Sequence, residues 1–137
     1  MASIPQLSLD QELPALTLPP VDRTTLALFG PASGDTNPIH IDIDFARKAG
    51  MPDVFAQGML GMAWMGRALT GWAPQERLRK FDVRFQGITH LGHQITVSGR
   101  VIELIELDGE SCARIELRNT NQYSHATIVG EALIAVA

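Results

Sequence analysis

Residues 33–59 have the sequence SGDTNPIHIDIDFARKAGMPDVFAQGM, which gathers acidic residues, an imidazole and several turn formers into one short stretch. Asp35 and His40 lie five residues apart, with Asn37 and Pro38 between them. Proline fixes its own φ and keeps the preceding residue out of the α region, so Asp35 and His40 cannot be neighbours on one helix. We predict a bent loop that turns both side chains toward one point. A carboxylate beside an imidazole is the minimum equipment for proton transfer near neutral pH.

The residues around this pair favour a rigid loop. Gly34 suits a sharp turn, and Asn37 can hydrogen-bond its own loop, as turn asparagines do. Asp42 is a suitable N-cap for a short helix over residues 43–49. By spacing alone the Asp–His pair is weak evidence for catalysis, since most such pairs are a capping aspartate and an unrelated histidine. The turn-forming residues on both sides of the pair make a catalytic role more strongly expected than the spacing alone does.

This stretch resembles the hydratase-2 motif of the MaoC-like family, which comprises (R)-specific enoyl-CoA hydratases and 3-hydroxyacyl dehydratases. The matching positions are Ser33-Gly34-Asp35-x-Asn37-Pro38-Ile39-His40-x-Asp42-x-x-Phe45-Ala46-x-x-x-Gly50-Met51, followed by Ala56-x-Gly58-Met59. One departure stands out, because the family usually has His-Gly where this chain has Gln57-Gly58. Both acid/base residues are retained, so we interpret Gln57 as a change in the substrate tunnel or in local packing.

The resemblance implies an α+β hot-dog fold, with an antiparallel sheet wrapped around a central helix, over a single domain of residues 1–137. It also implies reversible hydration of a trans-2-enoyl thioester to an (R)-3-hydroxyacyl thioester. Asp35 and His40 would activate a water molecule, and Asn37 would position the loop or the water. The residues leave open which of the two is base and which is acid. No external cofactor is expected, because the thioester itself acidifies Cα.

The predicted position of Gly58 in a helix suggests that it binds the substrate. It lies at the N-terminus of a predicted helix over residues 57–71, where backbone N–H groups lack partners and the helix dipole is positive. Such an N–H can hold the oxygen of a thioester carbonyl as it becomes an enolate. The simpler alternative is a glycine that only permits a tight turn.

The resemblance also suggests which residues contact the substrate. We expect Phe55, Gln57 and Met59 beside the acyl group, and Arg84 at the phosphates of coenzyme A or of a carrier protein's phosphopantetheine. Arg84 belongs to a local basic group that also includes Arg77, Arg79 and Lys80. The commoner explanation of such a group is a solvated strand face.

Hydrophobic periodicity organises the remainder of the chain. The helix over 57–71 is apolar on nearly every side, which is typical of a helix in a core. Asp108-Gly109 is a strong hairpin signal, and short links between strands favour an antiparallel meander. We predict, in order, an irregular arm over 1–21 with a short strand near 13–18, a helix over 22–29 ended by Gly30-Pro31, and strands over 77–88, 94–106, 111–122 and 125–136.

Composition excludes several classes of function. The chain has 137 residues and a net charge of −4, so it lacks the basic excess of a nucleic-acid-binding protein. Cys112 is the only cysteine, which rules out an internal disulfide and fits a reducing cytoplasm. No secretory signal or membrane-spanning run is apparent, and no His, Cys, Asp or Glu spacing suggests a metal. His90 and His93 flank a glycine turn, where solvated residues are the default.

We expect a homodimer with a continuous sheet, which is the family pattern, and leave open a heterodimer with a related subunit. The partner in catalysis would be an acyl-CoA or an acyl carrier protein in fatty acid metabolism. Two other functions stay in play. A non-catalytic acyl-binding subunit of a heteromeric dehydratase is favoured by Gln57 and opposed by the retained Asp35 and His40. A thioesterase of the same fold is opposed by the Asp-x-Asn-Pro-x-His loop.

Overall fold

The computed structural model describes residues 5–137, so the first four residues of the predicted N-terminal arm lie outside the described part of the chain. Three α-helices and five strands are joined by loops and two short 3₁₀ turns. In chain order they are β1 (Leu16–Thr17), α1 (Arg23–Ser33), a 3₁₀ turn (Pro38–His40), α2 (Ile43–Lys48), α3 (Gly58–Trp72), a 3₁₀ turn (Gln75–Arg77), β2 (Leu78–Phe85), β3 (Thr96–Leu107), β4 (Glu110–Thr120) and β5 (Ala126–Ala135). The predicted helix and strand types are confirmed, with bounds that shift by a few residues.

The strands form one antiparallel sheet in the order β1-β3-β4-β5-β2. Strands β3, β4 and β5 are the predicted meander, and the turn between β3 and β4 has positive φ at both Asp108 and Gly109, as a type I′ hairpin requires. The prediction fails for β2, which pairs with β5 instead of β3. The link over residues 86–95 does not form a hairpin between β2 and β3, because its backbone bonds to other segments. Ala56 N–H donates to Thr89 O, and Gly92 N–H donates to Val21 O.

Helix α3 packs on the concave side of this sheet. Its buried residues, which include Met65 and Leu69, contact buried strand residues such as Ile115 and Ile134. The strand residues buried on this side include Val97, Val101, Ile115, Leu117 and Ile128, as apolar alternation within a strand indicates. The expectation that α3 is enclosed on every side is wrong for this chain, because Met59 keeps 54% of its surface exposed. A sheet wrapped around one helix is the hot-dog arrangement that the resemblance implied.

Helix α1 runs one turn further than predicted. Pro31 lies inside it and removes the N–H that would bond to the carbonyl four residues back. The turn survives because Ser33 Oγ donates to Phe29 O at 2.7 Å and Gly34 N–H donates to Gly30 O at 2.9 Å. Gly34 then ends the helix in the left-handed conformation with φ 81°. The consequence is that the helix leads directly into the Asp35 loop.

A second, smaller hydrophobic cluster holds that loop against the rest of the protein. It joins α1, α2 and the first turn of α3 through the buried residues Val21, Leu26, Ala46, Val54, Ala56 and Leu60. Asp42 caps α2 as predicted, since its Oδ1 accepts from the N–H groups of Asp44 and Phe45. Cys112 is buried in β4, as expected for a small strand residue, and burial raises the pKa of its thiol.

Candidate active site

The loop between α1 and α2 is built from its own short polar side chains. Asn37 N–H donates to Asp35 Oδ1 at 3.2 Å, and Ile39 N–H donates to Asn37 Oδ1 at 3.0 Å. The second bond caps the 3₁₀ turn that carries His40. Asn37 therefore sets the shape of the loop, which is one of the two roles expected for it. Asp35 uses only one of its carboxylate oxygens, Oδ1, to accept a backbone hydrogen bond.

His40 is held by a backbone carbonyl on the other side of the site. Its Nδ1 lies 2.7 Å from Phe55 O, and the two rings meet edge to face with centroids 5.2 Å apart. A carbonyl oxygen can only accept, so Nδ1 carries the proton and the lone pair of the neutral ring is on Nε2. His40 is 8% exposed, so the surrounding residues restrict the orientation of its ring in addition to this hydrogen bond.

Nε2 of His40 faces the free carboxylate oxygen of Asp35. The distance from Nε2 to Oδ2 is 3.6 Å, longer than a direct hydrogen bond. Both atoms accept hydrogen bonds when the imidazole is neutral and the carboxylate is ionised. Polar groups at this separation are commonly bridged by a water, and a bridging water could donate one hydrogen to each. The arrangement can therefore orient a water oxygen and take up a proton from it.

An ion pair ties the start of α1 to the segment that holds His40. Arg23 Nη1 donates to Asp53 Oδ1 at 3.0 Å, and Asp53 Oδ1 also accepts from Val54 N–H. The hydrogen bond from Arg23 is the main cause that lowers the pKa of the Asp53 carboxyl, followed by the bond from Val54. The pair therefore restrains the chain two residues before Phe55, whose carbonyl binds His40.

Gly58 is the first residue of α3, so its N–H has no acceptor within the helix. A Cβ at this position would lie 3.3 Å from the ring of Phe85, which covers the glycine from β2. The preceding residue, Gln57, is the N-cap but makes no side-chain capping bond. Its side chain is buried and its Nε2 donates to Leu26 O at 3.0 Å. Gln57 thus joins α3 to α1.

Two concavities flank these groups. The first is a groove of about 390 Å³ that contains Asp35 and Met59 and is otherwise mostly apolar; its lining also includes Phe29, Ser33, Met62, Ala63, Gly66 and Phe81. The second is a cavity of about 140 Å³ on the other side of the α3 N-terminus, and Phe55, Gln57 and Gly58 all line it. The residues expected near an acyl group therefore divide between two adjoining spaces.

Arg84 lies elsewhere. Successive side chains of a strand point to opposite faces, so Arg84 leaves β2 on the side opposite to Phe85. There it lines a concavity of about 500 Å³ on the outer face of the sheet, which contains neither Asp35 nor His40. The lining mixes acidic and basic side chains, so it lacks the apolar surface that an acyl chain requires. The structure of one chain does not bring Arg84 to the Asp–His pair, and its contact with substrate phosphates stays a prediction.

The other members of the basic group are mostly engaged in ion pairs. Arg79 donates to both carboxylate oxygens of Glu110, and Lys80 Nζ lies 3.1 Å from Asp82. His93, expected to be solvated, is half-buried, and burial is the main cause that lowers its pKa. Within residues 5–137, no group of three His, Cys, Asp or Glu residues could hold a metal ion. Over the same residues, no helix has the length and apolarity needed to cross a bilayer.

Asn119 is a residue of this region that the sequence interpretation missed. Its polar side chain is typical of a strand end or a turn, but it belongs to β4 and is fully buried. Its Nδ2 donates to Gly61 O in the first turn of α3 at 2.9 Å. The available signal was its alternation with Ile115 and Leu117, which places an amide on the inward face of a strand.

Comparison with known proteins identifies the family of the chain. The model of the MaoC like domain matches residues 5–122. The chain is 33% identical over 105 residues to the fatty acid synthase beta subunit TOXC of Cochliobolus carbonum, which is 74% of this chain but 5% of that protein. The chain thus spans a small part of the curated relatives that it matches.

Two solved structures have the same fold. The R-hydratase PhaJ1 from Pseudomonas aeruginosa superposes with a TM-score of 0.83 and 28% identity, over 98% of this chain and 86% of the hydratase. A chain of the ChsH1-ChsH2 complex from Mycobacterium tuberculosis gives a TM-score of 0.82 at 20% identity, over 96% of this chain and 100% of that one. Because the family model covers most of its length, the chain belongs to the MaoC-like domain family, whose hot-dog fold it shares.

Proposed function

We propose that the protein is a hydro-lyase that adds water reversibly to a trans-2-enoyl thioester and forms an (R)-3-hydroxyacyl thioester. The observation that carries the proposal is the geometry of one pair: His40 Nε2 and Asp35 Oδ2 are 3.6 Å apart, and the proton on Nδ1 is committed to Phe55 O. Two acceptors at that spacing suit one shared water. The family and its R-hydratase relative support the same chemistry.

In the hydration direction the pair takes one proton from the water as its oxygen bonds to Cβ. The electrons of the Cα–Cβ π bond move to the thioester carbonyl, which becomes an enolate. The enolate then collapses as Cα receives a proton from the pair on the same face, so the site returns to its starting protonation state. Asp35 and His40 share the proton as one coupled unit, and no external cofactor takes part.

The enolate needs a hydrogen-bond donor, and we assign this role to the Gly58 N–H. It is unpartnered within α3 and lies at the positive end of that helix's dipole. A preformed donor aimed at a developing oxyanion contributes to the rate because it does not reorganise during the reaction. The cavity that Gly58 shares with Phe55 would then receive the thioester end of the substrate.

The same geometry favours a second copy of the chain. Strand β2 is at the edge of the sheet, so one side of its backbone ladder is unpaired within this chain. Leu28, Met59 and Phe85 leave more than half of their surfaces exposed, and Met59 lines the groove beside Asp35. We propose a homodimer, with a heterodimer as the alternative. Sedimentation that showed a stable monomer would contradict both.

The first test is to mix the protein with crotonyl-CoA and with a longer enoyl-CoA, and to follow the loss of the conjugated thioester absorbance. The expected result is loss with at least one substrate, reduced at least about a hundredfold in Asp35→Asn, which keeps the shape of the side chain but cannot take the proton. Asp44→Asn removes the same charge from the exposed side of α2 and serves as the matched control. Equal rates in Asp35→Asn and Asp44→Asn would overturn the mechanism.

The carrier of the acyl group can be distinguished in the same experiment. The resemblance to a fungal fatty acid synthase subunit favours an acyl group on phosphopantetheine. An enoyl pantetheine thioester and an enoyl-acyl carrier protein would then be used at least as well as the CoA ester. Release of free acid in place of a hydroxyacyl thioester would identify a thioesterase instead.

A further inference from the structure

Two buried amide oxygens stand out near the N-terminus of α3. Across residues 5–137, Gln57 Oε1 and Asn119 Oδ1 are the buried side-chain atoms that have no hydrogen-bond partner. A buried acceptor without a donor costs free energy, and an apolar side chain of similar shape would avoid that cost. Both residues are almost completely buried, Gln57 at 1% exposure and Asn119 at 0%. Two such unpartnered oxygens beside the same helical turn indicate that the amide side chains have a role other than stabilising the fold.

The nitrogen of each amide makes a well-formed bond at this turn. Gln57 Nε2 donates to Leu26 O of α1 at 3.0 Å, and Asn119 Nδ2 donates to Gly61 O of α3 at 2.9 Å. One bond therefore joins the start of α3 to α1, and the other joins it to the centre of the sheet. Between them lies Gly58, the first residue of the helix.

The bond to α1 leads on to the acid/base loop. Four residues after Leu26, a Cβ on Gly30 would lie only 3.2 Å from Asp35 O, so the loop packs directly on this part of the helix. Gly34, which ends α1, is adjacent to Asp35 in the chain. Leu26 O thus belongs to the rigid element that sets where Asp35 lies, and Gln57 ties the Gly58 N–H to that element.

We propose that Gln57 is a positioning residue that sets the separation between the Gly58 N–H and the Asp35–His40 pair, with Asn119 fixing the same turn to the sheet. The inference rests on the proposed hydration for its catalytic consequence. Leu26 is an interior residue of α1, so its carbonyl can also accept a hydrogen bond from an N–H in the next turn of the same helix. The bond from Gln57 is therefore not needed to satisfy that carbonyl, which favours a role in placement.

Gln57→Met tests this most directly. Methionine has the same length and no polar atoms, so the variant loses the bond to Leu26 and the unpartnered oxygen together. The structure predicts a urea midpoint that is unchanged or higher, because one cost disappears with one bond. The kcat for an enoyl thioester is expected to fall about tenfold or more with KM within about twofold, since small misplacements act on the transition state. Gln57→His, which restores an N–H donor, should recover most of the kcat.

A second readout needs no substrate. Leu60 N–H bonds to Gln57 O at 3.1 Å across the first turn of α3, so its hydrogen exchange reports how firmly that turn is held. We expect exchange at Leu60 to be about tenfold faster in Gln57→Met and near the wild-type rate in Gln57→His. Ile134→Val, a buried change on β5, is the control: it should lower the urea midpoint but leave both kcat and Leu60 exchange unchanged.

The outcomes separate the two proposals. Leu60 exchange that stays at the wild-type rate in Gln57→Met would overturn the positioning role, whatever the activity. A wild-type kcat in Gln57→Met would also overturn it. If the wild-type protein hydrates no enoyl thioester, the proposed function fails, and Leu60 exchange still decides whether Gln57 holds the turn. Should Gln57→Met not fold, Gln57→Leu carries the same expectations.

Discussion

Replacing Gly58 by proline isolates the contribution of a single backbone N–H. Gly58 is the first residue of α3, the helical position where proline is most readily accepted. The preceding residue must then avoid the α region, and Gln57 already does so with φ −57° and ψ 136°. Gly58→Pro therefore removes the donor proposed for the thioester carbonyl without breaking the helix.

Gly58→Ala is the matched variant that keeps the N–H. Its Cβ would lie 3.3 Å from the Phe85 ring, and so would the Cβ of proline, so both variants meet the same contact. Phe85 is 52% exposed, and its ring can shift by the few tenths of an ångström required. We expect this contact to cost about 1 kcal/mol or less, a factor of roughly five in rate at most.

Loss of one oxyanion donor has a larger effect. In other enzymes it lowers kcat by about 10²–10³, which corresponds to about 2.7–4 kcal/mol of transition-state stabilisation. Gly58→Pro should therefore have a kcat at least about twentyfold below that of Gly58→Ala at similar KM, with both melting temperatures close to the wild-type value. The assay is the decay of enoyl-CoA absorbance, accompanied by thermal unfolding monitored by circular dichroism. Equal kcat values in two folded variants would refute the assignment of the Gly58 N–H.

Three further predictions concern stability. Gly99→Ala should lower the free energy of unfolding by about 1–3 kcal/mol in urea, because its Cβ would lie 2.6 Å from the Trp72 ring; wild-type stability would show that the ring moves freely. Asp53 has a lowered pKa, so its pair with Arg23 stabilises the fold above the unfolded pKa near 3.8 and is lost as pH falls through the folded pKa. The melting temperature of Asp53→Asn should therefore fall below wild type at pH 7 and converge with it in acid, and a gap that persists in acid would contradict the linkage. His93 also has a lowered pKa, so the unfolded chain takes up its proton first as pH drops below about 6.5 and stability declines; His93→Gln should flatten that decline, and an unchanged slope would exclude this residue as its source.

Several local features were predictable because short-range chemistry dictates them. Asp22 and Asp42 cap helices through bonds to N–H groups two or three residues ahead, and Asp108-Gly109 turns a hairpin through its own φ values. Such features depend on residues that are neighbours in sequence. Helix α1 continues past the predicted end at Gly30-Pro31 because Pro31 removes only one N–H, while Ser33 Oγ still bonds to Phe29 O and Gly34 N–H to Gly30 O.

The pairing of β2 could not be predicted from strand periodicity. Alternation shows that a segment is a strand but carries no information on which edge it joins. The link over residues 86–95 binds Val21 and Ala56, which are distant in sequence, and this takes β3 away from β2. Likewise, the apolar pattern of α3 does not distinguish a face that the sheet covers from one that lies beside an open groove.

The sequence by itself determined that Asp35 and His40 lie on one bent loop, because Asn37 and Pro38 between them exclude a single helix, and the fold class was indicated by the family resemblance together with the hydrophobic periodicity. Only the tertiary structure decided that Phe55 O holds the His40 tautomer, that Oδ2 and Nε2 stand 3.6 Å apart, and that Gln57 turns inward to α1. The contacts of Phe55 O with His40 and of Gln57 with Leu26 join segments that are 15 and 31 residues apart, and the first of them also sets where His40 Nε2 lies relative to Asp35. Their geometry depends on how the helices pack against the sheet, and the packing depends on the whole chain at once.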